Sequence, residues 1–302
     1  METLESISAS LKTTKGIRSI VRTMKSLSAA SIHQYESAAD AIAEYSDTVD
    51  QGLQVVLRTG EAQRPDGRIW QRDTVEGGRN AVIVIGSDRG LCGRFNDKIA
   101  AFASKNFLKT RDGTHEKTIL CVMGLRAAAR LSTEGHDANE IIGLPGSAGG
   151  LSKAAQQVIT YIERLNRTES VTRVHLAHNS RTAGSGSTPV AHPILPVPPD
   201  YLEALTRKPW PSRSLPMFRM EGKALLEWLL RETIYVAVYR ALAESLASEH
   251  ASRLASMQNA EHNITERKEE LLASFRRKRQ ESITGELLVL IVGYETSQQP
   301  QE

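Results

Sequence analysis

The sequence predicts a mixed α+β/α/β protein: a long antiparallel coiled coil of the N- and C-terminal helices with a central Rossmann-like α/β domain. Three observations predict it. Proline, which removes a helix hydrogen bond and clashes with the preceding turn, is absent before Pro65 and from Met217 to Gln299. Both of those spans carry apolar or small residues at alternating spacings of three and four, the pattern of a helix seam. Between them, short β-branched runs alternate with helical stretches, which points to a largely parallel sheet with helices packed on it. The expected division is 1–58 for the N-terminal helix, 59–216 for the central domain with its loops, and 217–302 for the C-terminal helix.

In the first segment the predicted seam runs through Ile7, Ser10, Thr14, Ile17, Val21, Met24, Ser28, Ser31, Tyr35, Ala38, Ile42, Tyr45 and Val49. A loop rich in Gly, Arg and Asp follows at about 59–79. Ala81 to Ile85 then reads as a buried strand, 94–108 as a helix, and KTILCVMG (117–124) as a second strand. LRAAARLSTEG is a second helix stopped by Gly135, LSKAAQQVITYIERLN (151–166) a third, and VTRVHLAHNS (171–180) a later strand. The Pro-rich passages TPVAHPILPVPPDY and KPWPSRSLP read as the return to the last helix. There Ile234, Val238, Leu242 and Leu246 share one row. A frame through Leu254, Met257, Ile264, Leu271 and Phe275 is broken by Glu261 and Lys268 and resumes at Ile283, Leu287 and Leu290. At 1.5 Å per residue the two terminal helices are roughly 80 Å and 100 Å long, too long for both to lie within a compact domain.

Composition narrows the function. Aromatic residues make up 5% of the chain and the formal net charge is +3, less basic than a general nucleic-acid binder. The longest apolar run, LLVLIVG (287–293), is far shorter than the roughly 20 residues of a spanning helix. METLESISAS reads as no signal peptide. Two cysteines without a CxxC pair suggest a reducing setting and no zinc finger.

Four features tempt a chemical reading. GSDRGLCG (86–93) has glycines at neither dinucleotide-fold nor P-loop spacing and lacks a following Lys-Ser/Thr pair, so a tight strand-to-helix turn is expected. His175 and His178 are three apart, which on a strand puts them on opposite faces and disfavours a shared metal. Cys92 and Cys121 are expected to be small buried residues. Arg276, Arg277, Lys278 and Arg279 form either a solvated helix face, a docking stripe for an acidic partner, or a DNA contact.

Three blocks carry a resemblance: LKTTKGIRSIVRTMKSLSAAS (11–31), GSDRGLCGRFN (86–96), and ASEHASRLASMQNAEHNITER with RQESITGELLVLIVGYE near the C-terminus. In this order they are similar to the gamma-subunit family of F-type ATP synthases. GIRSIVRT (16–23) stands where that family has Asn-Thr-x-Lys-Ile-Thr, and together with KPWPSRSLP it looks more like the N-ATPase branch, leaving proton or sodium open as the coupling ion.

The resemblance implies a central rotor that binds alpha, beta and epsilon subunits and the c-ring, lies peripheral to the cytoplasmic face of a bacterial inner membrane, and binds no nucleic acid. It implies no catalytic residue, no cofactor and no metal. It also implies beta-subunit contacts at Met24, Lys25, Arg253, Gln280 and Thr284. Gln280 and Thr284 share one helix face, whereas Arg253 lies 27 residues before Gln280. The rival readings are a non-enzymatic coiled-coil scaffold or basic nucleic-acid-binding protein, and a nucleotide-binding enzyme built on the central domain.

Overall fold

The computed structural model describes residues 3–59, 78–108, 118–181, 186–214 and 216–297. Most of the segment expected as a loop at 59–79 lies outside them. The chain divides into two compact units, one of residues 28–253 and one of residues 1–27 with 254–302. Helix α1 (Leu4–Thr59) and helix α6 (Gly222–Ser297) contribute to both.

The larger unit is built on a five-stranded sheet of β1 (Arg79–Ile85), β2 (Ile119–Met123), β3 (Glu140–Ile142), β4 (Val171–Arg181) and β5 (Ser187–Leu195). The spatial order is β3-β2-β1-β4-β5. β1 pairs parallel with β2 and β4, β2 pairs parallel with β3, and β5 runs antiparallel to β4. Because β1 is central and covered on both sides, its run is apolar throughout rather than alternating. Ala81, Ile83 and Ile85 join a core with α4 (Leu151–Glu169), part of α1 and part of α6. Val82 and Val84 face the opposite core, with α2 (Phe95–Ala103) and α3 (Leu125–Thr133).

The sequence-predicted strands and helices of this unit are present, and α3 ends beside Gly135, whose φ is +86°. Three elements were not anticipated. β5 contains Pro189 and Pro193, opposite Asn179 and His175, and proline is tolerated there because β5 is an edge strand. α5 (Pro199–Arg207) begins with its proline at the first turn, where no amide donor is needed. β3 is only three residues long. The row Ile234, Val238, Leu242 and Leu246 is buried in the core, as its spacing predicts.

The seam of α1 differs from the predicted one by a residue at three positions, while Met24, Ser31 and Ala38 are half-buried. Ile7, Thr14, Val21, Ser28, Tyr35, Ile42 and Val49 turn inward as expected. Ser10, Ile17 and Tyr45 do not; Leu11, Arg18 and Ser46 take their places. At Ile17 the difference has a physical source. Choosing the more apolar neighbour selects Ile17 over Arg18, but a long cationic side chain can lay its aliphatic stem in a seam and send its head outward.

In the smaller unit the α6 stripe passes through Met257, Glu261, Ile264, Lys268, Leu271 and Phe275, all buried or half-buried. Glu261 and Lys268 therefore occupy seam positions rather than interrupting the seam. The predicted resumption at Ile283, Leu287 and Leu290 does not occur, since these side chains are exposed. The register explains why. Lys25 pairs with Glu261, and in an antiparallel arrangement counting back from that pair brings Leu4, the first residue of α1, level with Ser282. Beyond that level α6 has no partner from α1.

Candidate partner-binding surfaces

In the smaller unit, Glu261 of α6 accepts from Lys25 Nζ at 2.9 Å and from Arg22 Nε at 3.0 Å. The two cations, Lys25 foremost, hold the Glu261 carboxyl below the usual carboxylate range. Lys25 is thus a seam residue that ties α1 to α6. Met24 is half-buried beside it and lies in a second apolar row formed with Ile17, Ile20 and Leu27, all three exposed. α1 therefore carries two stripes, one against α6 and one facing outward.

Gln280 and Thr284 are exposed, as expected. The Thr284 hydroxyl donates to the Gln280 backbone carbonyl at 2.9 Å, leaving its lone pairs and the Gln280 amide directed to solvent. Just before them Arg276, Arg277 and Arg279 are exposed, and Lys278 pairs with Glu281 at 2.6 Å. Just after them Ile283, Leu287, Leu288, Val289, Leu290, Ile291 and Val292 are all exposed, with Val289 reaching 72%. An apolar helical surface this continuous, next to a basic collar, is the mark of a surface meant to be covered.

Arg253 departs from the expectation of a surface residue. It is 4% exposed and lies inside the larger unit. Its guanidinium pairs with Glu249 at 2.5 Å and donates to the Gly90 carbonyl at 3.3 Å, while a nitrogen lies 3.4 Å from His250 Nδ1. The turn it grips is the GSDRGLCG segment, which joins β1 to α2. Leu91 and Gly93 adopt left-handed backbone there, with φ of +63° and +59°. Gly86 is required for close approach, because a Cβ at that position would meet the Ala127 Cβ at 2.1 Å. These glycines serve packing and turn geometry.

The same turn exposes a patch that the sequence did not single out. Leu91 is 60% exposed there, Leu125 at the start of α3 is exposed too, and their sequence neighbours Arg89, Arg94 and Arg126 are all exposed. Asp88 ties the turn to the start of α3 and to the segment after β3 by accepting from the backbone amides of Leu125 and Leu144, each at 2.9 Å. A leucine isolated between glycines in an otherwise polar turn is the one signal the sequence offers.

The remaining candidate chemistry has structural explanations. Cys92 and Cys121 are buried, and burial pushes both thiols up, Cys121 to about 12, so neither is poised as a thiolate. His175 meets Phe107 on one face of the sheet, whereas His178 meets Glu244 of α6 on the other, as their odd spacing predicts. His178 lines a cavity of about 590 Å³ together with His192, Arg240, Glu244, Asp50 and Tyr201. Among the described residues no group of three or more His, Cys, Asp or Glu side chains is placed to hold a metal ion.

A family model described as ATP synthase matches residues 3–296. The ATP synthase gamma chain of Geobacter sp. (strain M21) is 30% identical over 303 residues, covering 98% of this chain and 99% of that one. The ATP synthase gamma chain of Geotalea uraniireducens (strain Rf4) is 28% identical, with the same coverage. Among solved structures, the fold resembles a chain of the Euglena gracilis mitochondrial ATP synthase rotor with a TM-score of 0.60 at 17% identity, covering 93% of this chain and 98% of that one. It also resembles a chain of the Tetrahymena thermophila mitochondrial ATP synthase central stalk and c-ring, with a TM-score of 0.54 at 20% identity, covering 80% and 99%. At these identities the structural likeness bears on the fold alone.

Proposed function

The chain belongs to the ATP synthase gamma-chain family, whose members are non-catalytic rotor subunits, and from that premise we propose how its surfaces engage the rest of a rotary ATP synthase. The observation that carries the reading is the bare apolar end of α6, residues 283–292, set beyond a basic collar and beyond the reach of α1. Such an end is unfavourable in water and fits a sleeve of other subunits, here the ring of alpha and beta. Gln280 and Thr284 offer polar contacts at the mouth of that sleeve. The outward row containing Met24 and the Leu91/Leu125 patch with its arginine neighbours offer two further surfaces suited to partners with acidic rims and apolar pockets. Lys25 contributes less directly, because its ammonium is held by Glu261.

Rotation couples to nucleotide affinity when different orientations of the chain favour different conformations of the surrounding subunits. The chain needs no reactive centre for this work. It needs asymmetry, and the two-striped α1 and the one-sided polar face at Gln280 and Thr284 supply it. Attachment at the other end falls to the epsilon subunit and the c-ring. No helix of the described residues is long and apolar enough to cross a membrane. A peripheral position on the cytoplasmic face of a bacterial inner membrane suits such a chain, with a proton or a sodium ion as the coupling ion.

The test is reconstitution with the alpha and beta subunits of the same organism. The chain should co-purify with them, and the Gln280→Ala/Thr284→Ala double variant should assemble normally yet slow multisite ATP hydrolysis, since each contact is worth about 1 kcal/mol. A chain that stays a well-behaved monomer beside alpha and beta overturns the reading. Wild-type multisite and single-site rates in the double variant would assign those two residues to ordinary surface.

A further inference from the structure

From the buried position of Arg253 we infer that this residue, with Glu249, is an internal clamp that makes the β1–α2 turn and helix α6 move as one body. It is a positioning residue rather than a contact to a partner subunit. The inference rests on the rotor reading for its functional meaning, though not for its geometry.

The geometry is specific. Two adjacent side chains of α6 take three carbonyls of one turn. Ser252 Oγ donates to the Cys92 carbonyl at 2.7 Å. Arg253 donates to the Gly90 carbonyl from both Nε and a terminal nitrogen, at 3.4 and 3.3 Å, and approaches the Arg89 carbonyl at 3.5 Å. The guanidinium suits this task because its five donors lie in one rigid plane and spread over two carbonyls and a carboxylate in fixed directions, whereas the three donors of an ammonium leave from a single freely rotating nitrogen. Glu249 neutralises the buried charge one helical turn away. The left-handed residues Leu91 and Gly93 give the turn the shape in which these carbonyls meet α6.

The turn is equally tied to the sheet. The Ser87 amide donates to Asn96 Oδ1 at 3.1 Å, Asn96 Nδ2 donates to Ser87 Oγ at 2.8 Å, and that hydroxyl donates to the Arg89 carbonyl at 2.8 Å. Asp88 binds the amides that open α3 and follow β3. On the same face of α6, Tyr35 of α1 stacks on His250, itself 3.4 Å from the Arg253 guanidinium, with ring centroids 5.6 Å apart. One turn thus joins β1, α2, α3 and α6, and Arg253 is the last residue of α6 within the larger unit. Torque applied to the sheet reaches α6 there through polar groups of fixed direction, whereas apolar packing alone would permit slip.

The experiment is amide hydrogen exchange on the free full-length chain, followed by assays of the assembled complex. Arg253→Gln and, separately, Glu249→Gln should speed exchange at residues 88–94 by about tenfold or more, with Arg253→Lys intermediate. In the complex, Arg253→Gln should lower the ions pumped per ATP hydrolysed, and Arg253→Lys should restore part of that ratio. Turn exchange at the wild-type rate in both glutamine variants, with coupling lost only for Arg253→Gln, marks a partner latch and overturns the clamp. Where Arg253→Gln fails to fold, Ser252→Ala decides, because it removes one anchor without opening a core cavity. Faster exchange from Cys92 onward supports the clamp, and unchanged exchange overturns it. Faster turn exchange in a chain that does not assemble with alpha and beta would count against the rotor reading and leave the clamp standing.

Discussion

Glu244 shows how a single residue can tie the sheet to α6 in a pH-dependent way. His178 Nε2 lies 3.3 Å from one carboxylate oxygen and Arg240 Nε lies 2.8 Å from the other. The His178 hydrogen bond chiefly, and Arg240 after it, hold the Glu244 carboxyl down at about 2 against the opposing effect of burial. A carboxylate depressed in the folded state contributes stability that is complete above its ordinary value of 4.5 and is lost as pH falls toward 2. Denaturant unfolding at stepwise lower pH should therefore show Glu244→Gln losing less stability than wild type between pH 4.5 and 2. The difference is about 2 kcal/mol once solvent screening is allowed for. An equal acid loss in the two proteins would mean the pair has no net stabilising role. None of this was legible in the sequence. The odd spacing of His175 and His178 separates their faces, but it says nothing of which helix will cover either face.

At the scale of elements, legibility followed how local the determining physics is. β1 was readable because a strand buried on both faces is apolar at every position. β5 was not, because its two prolines argue against a strand unless the strand is known to lie at an edge, and edges are a property of the whole sheet. The α1 seam was half readable. Its first positions are apolar or small, but its second positions include Arg18 and Lys25, and the place of Lys25 depends on Glu261 far along the chain. The two stripes of α1 make a direct comparison possible. Val21→Ala removes packing from the seam and should cost the free chain about 1–2 kcal/mol, while Ile20→Ala, on the outward row, should change stability by less than about 0.5 kcal/mol. Thermal unfolding followed by circular dichroism of the two variants checks this. A larger loss for Ile20→Ala would reverse the assignment of the stripes. The candidate contacts divided in the same way. Gln280 and Thr284 are exposed, whereas Arg253 is buried, which no periodicity reveals.

For the molecule as a whole, the uncovered end of α6 has a consequence for the cell that makes it. Seven large apolar side chains between Ile283 and Val292 face water in the free chain. Such a surface invites self-association and capture by chaperones before a ring of partners can enclose it. Free chains should aggregate on overexpression, and truncation after Gln280 should shift most of the product into the soluble fraction while the helical circular dichroism of the rest is kept. A wild-type chain that stays soluble alone at high concentration would show that this end is harmless. If it is not harmless, dosage becomes a matter of selection. Each surplus copy is a hazard and each missing copy leaves a ring without an axle. Synthesis of this chain should then be held at or below one copy for each ring by translational tuning, with any excess removed by proteases that read the same apolar segment as a degradation signal.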